Sequence, residues 1–375
     1  MPKFLSAQTK TWSDLNSKSD DVGSRAFADF TRQILLSENL LVLCGLGSSL
    51  CVTDHDGNRL APTMTDLWST AEKLCGEWFE SLKATVRYIP PASGRDDIEL
   101  LMSQCQLSQR FAPNKDVEKF ITETEANIVE QCGFVSSATE LPTHETFLRK
   151  VARRSTRLPR VKIFTTNYDL CFEHAAARSR FIVIDGFSHT LQQQFDGGYY
   201  TYDVVRRDRE RDTPEYLPNV FHLYKLHGSV DWERDGREIV KVNKPAKPLI
   251  IYLGESKFQS SYDQPYLEMM SRFQMSLREP NSALVVCGFG FNDQHVAEPI
   301  LAAARSNVGL RIAVVDPAAE TLGGVAAELR GWVNAGDTRL GFIQSRFEEF
   351  VPLLPDLIAR SEQEVHEERV RGSVT

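Results

Sequence analysis

Two polar side chains of this sequence, Asn167 and His227, have types and positions that could do chemistry. Asn167 lies in the stretch TTNYD (residues 165–169), where an amide and two hydroxyl groups could orient a sugar or a water molecule. His227 follows a short apolar run and precedes a glycine, and an imidazole with an ordinary pKa of about 6.5 could act as a general base near neutral pH. Both also have purely structural interpretations, a helix cap at residues 166–167 and an ordinary hydrogen-bonding histidine.

Two glycine-rich stretches, GLGSS (residues 45–49) and GFGFND (residues 288–293), follow other apolar runs. Glycines there would let the backbone approach a phosphate closely, and backbone N–H groups with the Ser48 hydroxyl could bind its oxygens. The structural alternatives are a simple turn, since the third glycine of the dinucleotide fingerprint is missing, and a helix cap at Asp293. Asp316 also follows an apolar run, where an acidic residue often accepts hydrogen bonds from ribose hydroxyls.

We interpret the apolar runs as buried strands, because each is short and has turn residues nearby. They cover residues 40–44, 161–164, 181–184, 222–226, 249–253, 283–287, 311–315 and 341–343. Helical segments lie between several of them, and this alternation indicates a parallel sheet covered on both faces. Ligands of such sheets bind outside the carboxyl ends of the strands. Polar or glycine-rich stretches at five strand ends therefore predict a nucleotide site.

The predicted fold class is α/β, with a Rossmann-like, doubly wound, mostly parallel sheet and a helical insertion. In the insertion, apolar residues recur at helical spacing over Thr65–Phe79, Asp97–Cys105, Asp116–Cys132 and His144–Arg153, the last with Thr143 as its cap. A further helix is expected over Trp12–Leu36. The predicted organisation is an N-terminal helical segment (1–37), the sheet domain (38–64 and 159–350), the insertion (65–158), and a C-terminal helix with a charged tail (351–375).

Composition narrows the class of protein. The chain has 375 residues and a net charge of -8, so it carries no general electrostatic footprint for nucleic acid. No apolar stretch is long enough for a membrane span, and the N-terminus has no secretory signal pattern. The seven cysteines form no Cys-x-x-Cys pair, which argues against a zinc ribbon or a redox pair. We therefore expect a protein of the cytoplasm that binds no metal.

Four stretches together resemble the signatures of bacterial sirtuin-like domains found in antiphage defence proteins. They are GLGSS (45–49), TTNYD (165–169), KLHGSVDW (225–232) and GFGFNDQHV (288–296). The resemblance implies a Rossmann-like domain that binds NAD+ and cleaves it to nicotinamide and ADP-ribose, with the helical insertion as one wall. It also implies that Asn167 and His227 are catalytic, and that the NAD site includes Gly45, Gly47, Ser48, Thr166, Asp169, Gly288, Gly290, Asp293 and Asp316.

The sequence departs from the sirtuin pattern in three places. Leu46 stands where sirtuins usually have alanine, and Gly290 replaces a common serine. Sirtuin deacylases also carry a zinc module with two Cys-x-x-Cys pairs after the catalytic histidine, whereas the only cysteine after His227 is Cys287. The missing zinc module puts the acyl-peptide groove in doubt and favours hydrolysis over deacylation.

Other functions stay open at this point. The same fold could sense NAD+ or an ADP-ribose derivative without turnover, or act as a deacylase or ADP-ribosyltransferase, and a nuclease role within a larger complex is a weaker alternative. A constitutive NAD+ hydrolase would be toxic, so we expect control from outside the chain, through self-association or a partner protein. The family context suggests NAD+ depletion in an antiphage response, a homo-oligomer, and a HerA-type ATPase as partner.

Overall fold

The strands of this chain form one large sheet and two small ones in the computed structural model, which describes residues 1–15, 21–90, 96–207, 214–245, 247–250 and 264–358. The strands are β1 Lys3–Ser6, β2 Ser13–Asp14, β3 Asn39–Cys44, β4 Lys162–Thr165, β5 Ile182–Ile184, β6 Val205–Arg207, β7 Pro214–Tyr216, β8 Val220–Lys225, β9 Gly228–Asp235, β10 Glu238–Lys241, β11 Pro248–Ile250, β12 Ser282–Cys287, β13 Arg311–Val315 and β14 Leu340–Gln344. The α-helices are α1 Val22–Leu35, α2 Met64–Cys75, α3 Phe79–Thr85, α4 Ile98–Phe111, α5 Lys115–Cys132, α6 Pro142–Val151, α7 Cys171–Arg178, α8 Tyr266–Arg278, α9 Gln294–Ser306, α10 Gly324–Asn334 and α11 Phe347–Phe350.

The large sheet has nine strands in the order β2-β1-β14-β13-β12-β3-β4-β8-β5. From β14 to β5 every neighbouring pair is parallel, and only the two N-terminal edge strands pair antiparallel. Strand β3 has β4, the next large-sheet strand in sequence, on one side and β12 on the other. Beyond β12 the sheet continues to β13 and β14. The order of strands therefore reverses between β3 and β12, which makes the sheet doubly wound and confirms the predicted fold class.

Helices cover both faces of this sheet, and the alternation of side chains along the strands explains why. In β3, Leu40 and Val42 belong to one apolar cluster, which also holds side chains of α1, α6 and α7. Leu41 and Leu43 belong to a second cluster, formed with α8, α9 and α10. All six residues of β3 are buried, as the near-continuous apolar run required.

The N-terminal segment differs from the prediction. The helix expected over Trp12–Leu36 begins only at Val22, where the Asp21 side chain accepts a hydrogen bond from the backbone nitrogen of Ser24. Before it, β1 pairs antiparallel with β14 and β2 pairs with β1. The main partner of β1 lies more than 300 positions away, and its other partner, β2, has only two residues, so the local apolar pattern did not reveal β1.

Helices α2 to α5 pack against one another around a separate apolar cluster. Their starts have the expected chemistry: Thr63 and Asp66 form a reciprocal capping box at α2, and Asp97 and Asn114 cap α4 and α5. The cluster also includes Tyr168, from the loop after β4. The helical block is thereby fixed to the carboxyl edge of the sheet.

Helix α6 lies outside this block, although the predicted insertion, residues 65–158, included it. Its residues Phe147 and Leu148 belong to the cluster on one face of the large sheet. The predicted cap at Thr143 is wrong, because the helix begins at Pro142 and Leu141 holds the capping position without a side-chain bond. Proline suits the first helical position, since its missing N–H has no partner there in any case.

Two predicted segments are placed differently by the structure. Residues 249–250 belong to β11, which pairs antiparallel with β9 in a small sheet, and residues 251–253 of that predicted strand lie outside the described residues. Most of the predicted C-terminal helix and tail, residues 359–375, also lies outside them, and residues 351–353 form a short 3-10 turn. In the described part of the chain, no helix has the length and apolar character to cross a membrane.

Candidate functional site

Strand register brings the polar stretches to one edge of the sheet. Cys44, the last residue of β3, pairs with both Thr165 and Cys287, the last residues of β4 and β12. Thr165 pairs in turn with Lys225, and Cys287 with Val315. The residues that follow these five strand ends therefore lie level with one another, at the point where strand order reverses.

The two glycine-rich loops pack directly against each other. A Cβ atom on Gly45 would lie 2.6 Å from the carbonyl oxygen of Gly288, and a Cβ atom on Gly47 would lie 2.6 Å from the Cα of Gly288. Gly288 has a φ of +59°, and a Cβ there would lie 2.5 Å from the Cα of Gly47. The sequence predicts that these glycines let the backbone approach a phosphate closely. In the structure they also let the two loop backbones pack against each other, because a side chain at any of them would clash.

Asn167 joins the loop after β4 to the loop after β3. Its amide nitrogen Nδ2 lies 3.0 Å from the carbonyl oxygen of Gly45, 3.2 Å from Ser48 Oγ and 2.8 Å from Ser49 Oγ. Its backbone nitrogen donates to Thr165 Oγ1. Asn167 is therefore not the cap of α7, one of the interpretations left open by the sequence. Its side chain is 9% exposed and its orientation is fixed by the first loop.

The two serines of the first loop bond to protein groups, whereas the sequence predicted that the Ser48 hydroxyl binds a phosphate. Ser48 is fully buried and its hydroxyl donates to the carbonyl oxygen of Gly45 at 2.8 Å, so it supports the loop from inside. Ser49, which the sequence reasoning did not single out, donates through Oγ to Asp169 Oδ2 at 2.7 Å. The other oxygen of Asp169 accepts from the backbone nitrogen of Cys171 at the start of α7. Asp169 thus anchors both a helix and a loop.

His227 forms a largely buried cluster with Asp293, which precedes α9, and with His295, the second residue of that helix. Its Nε2 lies 2.9 Å from Asp293 Oδ2 and 3.1 Å from His295 Nε2. The other carboxylate oxygen of Asp293 lies 2.5 Å from His295 Nδ1. The side chains of His227 and Asp293 are 4% and 8% exposed, and that of His295 is 24% exposed. His295 was not among the predicted site residues.

Asp293 occupies the capping position of α9 but makes no side-chain capping bond. The carboxylate lies beside the two imidazoles instead, so Asp293 has the predicted capping position without the capping hydrogen bond. His227, Asp293 and His295 present possible metal ligands within 4.8 Å of one another. The ring centroids of the two histidines lie 5.2 Å apart and their Nε2 atoms 3.1 Å apart. A separation of 3.1 Å between the two nitrogens is compatible with a hydrogen shared by the two rings and with two ligands of one metal ion. The absence of a metal stays a prediction.

These loops surround a cavity of about 390 Å³. Of the predicted residues, all but the inward-turned Ser48 line it: Gly45, Gly47, Thr166, Asn167, Asp169, His227, Gly288, Gly290, Asp293 and Asp316. The helical block supplies another wall, through Met64, Leu67, Glu99 and Cys132. A second cavity, of about 380 Å³, borders the first at Gly47, Leu50, Gly288 and Pro317.

Two further acidic residues line the cavity, of which the sequence indicated Asp316 and not Glu99. Glu99, which was not predicted, is 3% exposed and accepts a hydrogen bond of 2.8 Å from the Tyr168 hydroxyl. Asp316 lies at the end of β13, where burial raises the pKa of its carboxyl above the ordinary value, partly offset by a hydrogen bond from the backbone nitrogen of Ala318. Tyr168, next to Asn167 in the sequence, indicated that a polar partner for its hydroxyl was needed. The sequence could not identify Glu99 as that partner, because the two residues are 69 positions apart.

Residues 161–332 match the family model described as SIR2-like domain. This segment contains Asn167, His227 and Asp293 and begins after the helical block, and the match supports a sirtuin-like domain over these residues. One solved structure that the chain resembles is a histidine-to-alanine variant of Sir2 described with a deacetylated p53 peptide and 3'-O-acetyl ADP-ribose. It is 14% identical and has a TM-score of 0.39, over 87% of this chain and 96% of that chain. A comparison with curated proteins found no match.

Proposed function

We propose that this protein hydrolyses NAD+ to nicotinamide and ADP-ribose. The observation that carries the proposal is the meeting of Asn167 and His227 at one cavity, where the strand order reverses. Both side chains are largely buried, and each is fixed by several polar contacts. A fixed amide and a fixed imidazole beside a glycine-rich loop suit the cleavage of a nucleotide better than a purely structural role. The SIR2-like match over residues 161–332 supports the same class of chemistry.

The cavity has features that fit a dinucleotide. Its volume of about 390 Å³ falls within the roughly 300–1,000 Å³ usual for small-molecule sites. The adjoining cavity continues past Gly47 and Gly288, so an extended ligand could lie along the glycine-rich loops. Asp316, which follows the neighbouring strand β13, would accept hydrogen bonds from ribose hydroxyls. Gly45, Thr166, Asp169 and Gly290 would complete the NAD site.

Hydrolysis replaces the bond between the nicotinamide nitrogen and the ribose carbon with a bond from that carbon to a water oxygen. The bonding pair leaves with nicotinamide, whose ring is cationic in NAD+, so its departure needs no strong acid. The water loses one proton, which His227 would accept. Asn167 donates through Nδ2 to the first loop, which leaves Oδ1 as the amide atom that can accept a hydrogen bond from the water or a ribose hydroxyl.

Chromatographic measurement of NAD+ loss tests this proposal. We expect the wild type to release nicotinamide and ADP-ribose in equal amounts. Asn167→Ala and His227→Ala should lower kcat by roughly 10²–10⁴-fold. His189→Ala is the matched control, since His189 is exposed and lies outside the cavity. Wild-type rates in folded Asn167→Ala and His227→Ala proteins would refute the assignment.

The same experiment separates the alternatives. Calorimetric binding of NAD+ without nicotinamide release over hours would identify a sensor module instead. Nicotinamide release that requires an acyl-lysine peptide or another acceptor would identify a deacylase or an ADP-ribosyltransferase. Nicotinamide release and its dependence on an acceptor therefore distinguish hydrolysis, binding without turnover, and transfer to an acceptor.

In the cell, we propose that the activity depletes NAD+ in an antiphage response, controlled by self-association and a HerA-type ATPase. The support for this role is the resemblance of the four motifs to defence proteins. Native mass measurement of the chain, alone and with such an ATPase, tests it. A strictly monomeric protein that is fully active without a partner would contradict it.

A further inference from the structure

Lys225 lies beside the proposed site but is not among the residues that line its cavity, and we propose that it is a positioning residue for Asn167. Its ammonium group holds the main chain of the TTNYD loop in place relative to the strand that leads to His227. The inference rests on the proposed function only in naming Asn167 and His227 as the reacting groups. It stands on the burial of Lys225 and on the three contacts of its Nζ atom.

Lys225 is the last residue of β8 and is 2% exposed. Lysine is rarely buried to this degree, because moving an ammonium group out of water is costly unless acceptors or an opposite charge replace the lost water. The residue pairs with Thr165, the last residue of β4. The buried charge therefore lies at the carboxyl edge of the sheet, where Asn167 follows one of these two strands and His227 follows the other.

The ammonium group has three hydrogens, and the described part of the chain provides three acceptors for them. Nζ lies 3.3 Å from the carbonyl oxygen of Tyr168 and 3.1 Å from Glu173 Oε1, and it also donates to the carbonyl oxygen of Asp169. Two of the three acceptors are thus consecutive main-chain groups, directly after Asn167. Because a charged donor makes stronger hydrogen bonds than a neutral one, Lys225 fixes the backbone of this loop.

Asn167 is consequently held from two directions. Its side chain bonds the first glycine-rich loop, and the main chain directly after it bonds Lys225. Since Lys225 precedes His227 by two positions, the same contact fixes the loop of Asn167 relative to the start of the loop of His227. A misplacement of reacting groups by about 1 Å can lower a rate by roughly 10²-fold. We therefore expect the loss of Lys225 to affect kcat more than the binding of NAD+.

Glu173 compensates the charge of Lys225 from the first turn of α7. Its side chain is 21% exposed, whereas that of Lys225 is 3% exposed. Replacing both members of such an ion pair by neutral side chains is often tolerated, whereas removing one member leaves an uncompensated charge. This difference separates the two possible roles of Lys225, because neutralising Glu173 can restore stability but cannot restore the contacts with the two carbonyl oxygens.

NAD+ turnover and thermal unfolding of three variants test the proposal. Lys225→Met removes all three donors, and we expect kcat to fall roughly 10²-fold with KM within about threefold. When Glu173→Gln is added to Lys225→Met, the melting temperature should be at least as high as in the single variant. The value of kcat should stay low, because the carbonyl oxygens still lack the ammonium donor.

Lys162→Met is the matched control for these variants. Lys162 contacts Glu279 Oε1 at 2.9 Å and Ser276 Oγ at 3.0 Å, so its loss also breaks an ion pair and a hydrogen bond. It is the first residue of β4, however, and lies at the opposite end of the strand from Asn167. We expect a lower melting temperature in this variant and a kcat within about twofold of the wild type.

Hydrogen exchange of the backbone amides of residues 166–170 gives a readout without substrate. The amides of Thr166 and Asn167 are hydrogen bonded in the structure, so a loosened loop should exchange faster. We expect faster exchange in both proteins that carry Lys225→Met and unchanged exchange in Lys162→Met.

Wild-type kcat in a folded protein with Lys225→Met, or unchanged exchange of these amides, would overturn the inference and leave the proposed function intact. Failure of both Lys225→Met proteins to fold would assign Lys225 to stability alone and would also overturn it. A wild type that does not hydrolyse NAD+ would refute the function, and the exchange rates would still decide whether Lys225 holds the loop.

Discussion

Ser49 Oγ accepts a hydrogen bond from Asn167 Nδ2 at 2.8 Å and donates one to Asp169 Oδ2 at 2.7 Å. One buried hydroxyl thereby ties two polar residues of the TTNYD loop to the first glycine-rich loop, across 118 and 120 positions of sequence. Since Asn167 Nδ2 also contacts the carbonyl oxygen of Gly45, the amide cannot turn over without losing several bonds. The orientation of the proposed catalytic amide therefore depends on Ser49.

Ser49→Ala should lower both stability and activity. The change removes the partner of a buried amide and a buried carboxylate, which we expect to cost about 1–3 kcal/mol in the free energy of unfolding. The value of kcat should fall as well, because Asn167 loses one of its fixed contacts. Chemical denaturation and NAD+ turnover measure the two effects. Ser306→Ala is the control, because the Ser306 hydroxyl bonds only its own helix at an exposed position; equal stability in both variants would contradict the prediction.

Gly288→Ala should be strongly destabilising. The residue has a φ of +59°, and an added Cβ would lie 2.5 Å from the Cα of Gly47. Backbone strain and the displaced loop together should cost roughly 2 kcal/mol or more, and NAD+ turnover should fall with them. In the matched control, Gly331→Ala, the new Cβ meets nothing within 4 Å inside α10, and stability should rise by up to about 1 kcal/mol. Thermal unfolding distinguishes the two; similar melting temperatures would refute the packing argument.

The hydrogen bond from Tyr168 to Glu99 should couple the helical block to the cavity. Tyr168→Phe removes a 2.8 Å bond to a buried acidic side chain, which we expect to lower the free energy of unfolding by about 1.5–3 kcal/mol. A double-mutant cycle with Glu99→Gln should yield a coupling energy of at least about 0.5 kcal/mol. KM for NAD+ should rise, since both residues line the cavity. Tyr202→Phe, at a residue 61% exposed, should change none of these quantities, and additive effects of the two substitutions would contradict the coupling.

His144 should make the protein less stable in acid. Its ring packs between Phe172 and Phe347, and neither ring nitrogen has a hydrogen-bond partner among the described residues. Burial lowers the pKa of His144 from 6.5 to about 4. Between these values the unfolded chain binds the proton and the folded chain does not, so stability falls as the pH decreases from 6.5 to 4. The full loss is about 3 kcal/mol.

Denaturation of the wild type and His144→Leu at pH 7.5 and at pH 5 measures this effect. We expect the wild type to lose more stability than the variant between the two conditions. Some pH dependence should persist in the variant, because burial also lowers the pKa of His222 to about 4, with further lowering from the nearby charge of Lys162. An identical loss in both proteins would show that His144 is not responsible.

The sequence by itself determined the parallel strands of the large sheet and the positions of the polar loops that follow them. Short apolar runs bounded by turn residues are local signals, so the strand from Asn39 to Cys44 and its counterparts appeared where predicted, within a few residues. Parallel strands place their carboxyl ends on one edge, which is why Asn167 and His227 could be assigned to one cavity before any contact was known. The first strand, Lys3–Ser6, was missed because its longer pairing is with the far end of the chain and its nearby partner has only two residues.

Only the tertiary structure decided which side chains hold the proposed catalytic groups in place. Ser49, Glu99 and His295 were not predicted, and each contacts its partner across 68 to 120 positions of sequence. Asp293 occupies the capping position that the local pattern predicts, but its carboxylate lies 2.9 Å from His227 Nε2 and makes no capping bond. Residue type and spacing indicate what a side chain can do locally. Packing and strand register decide which distant group it contacts, and in a buried site that contact fixes its orientation.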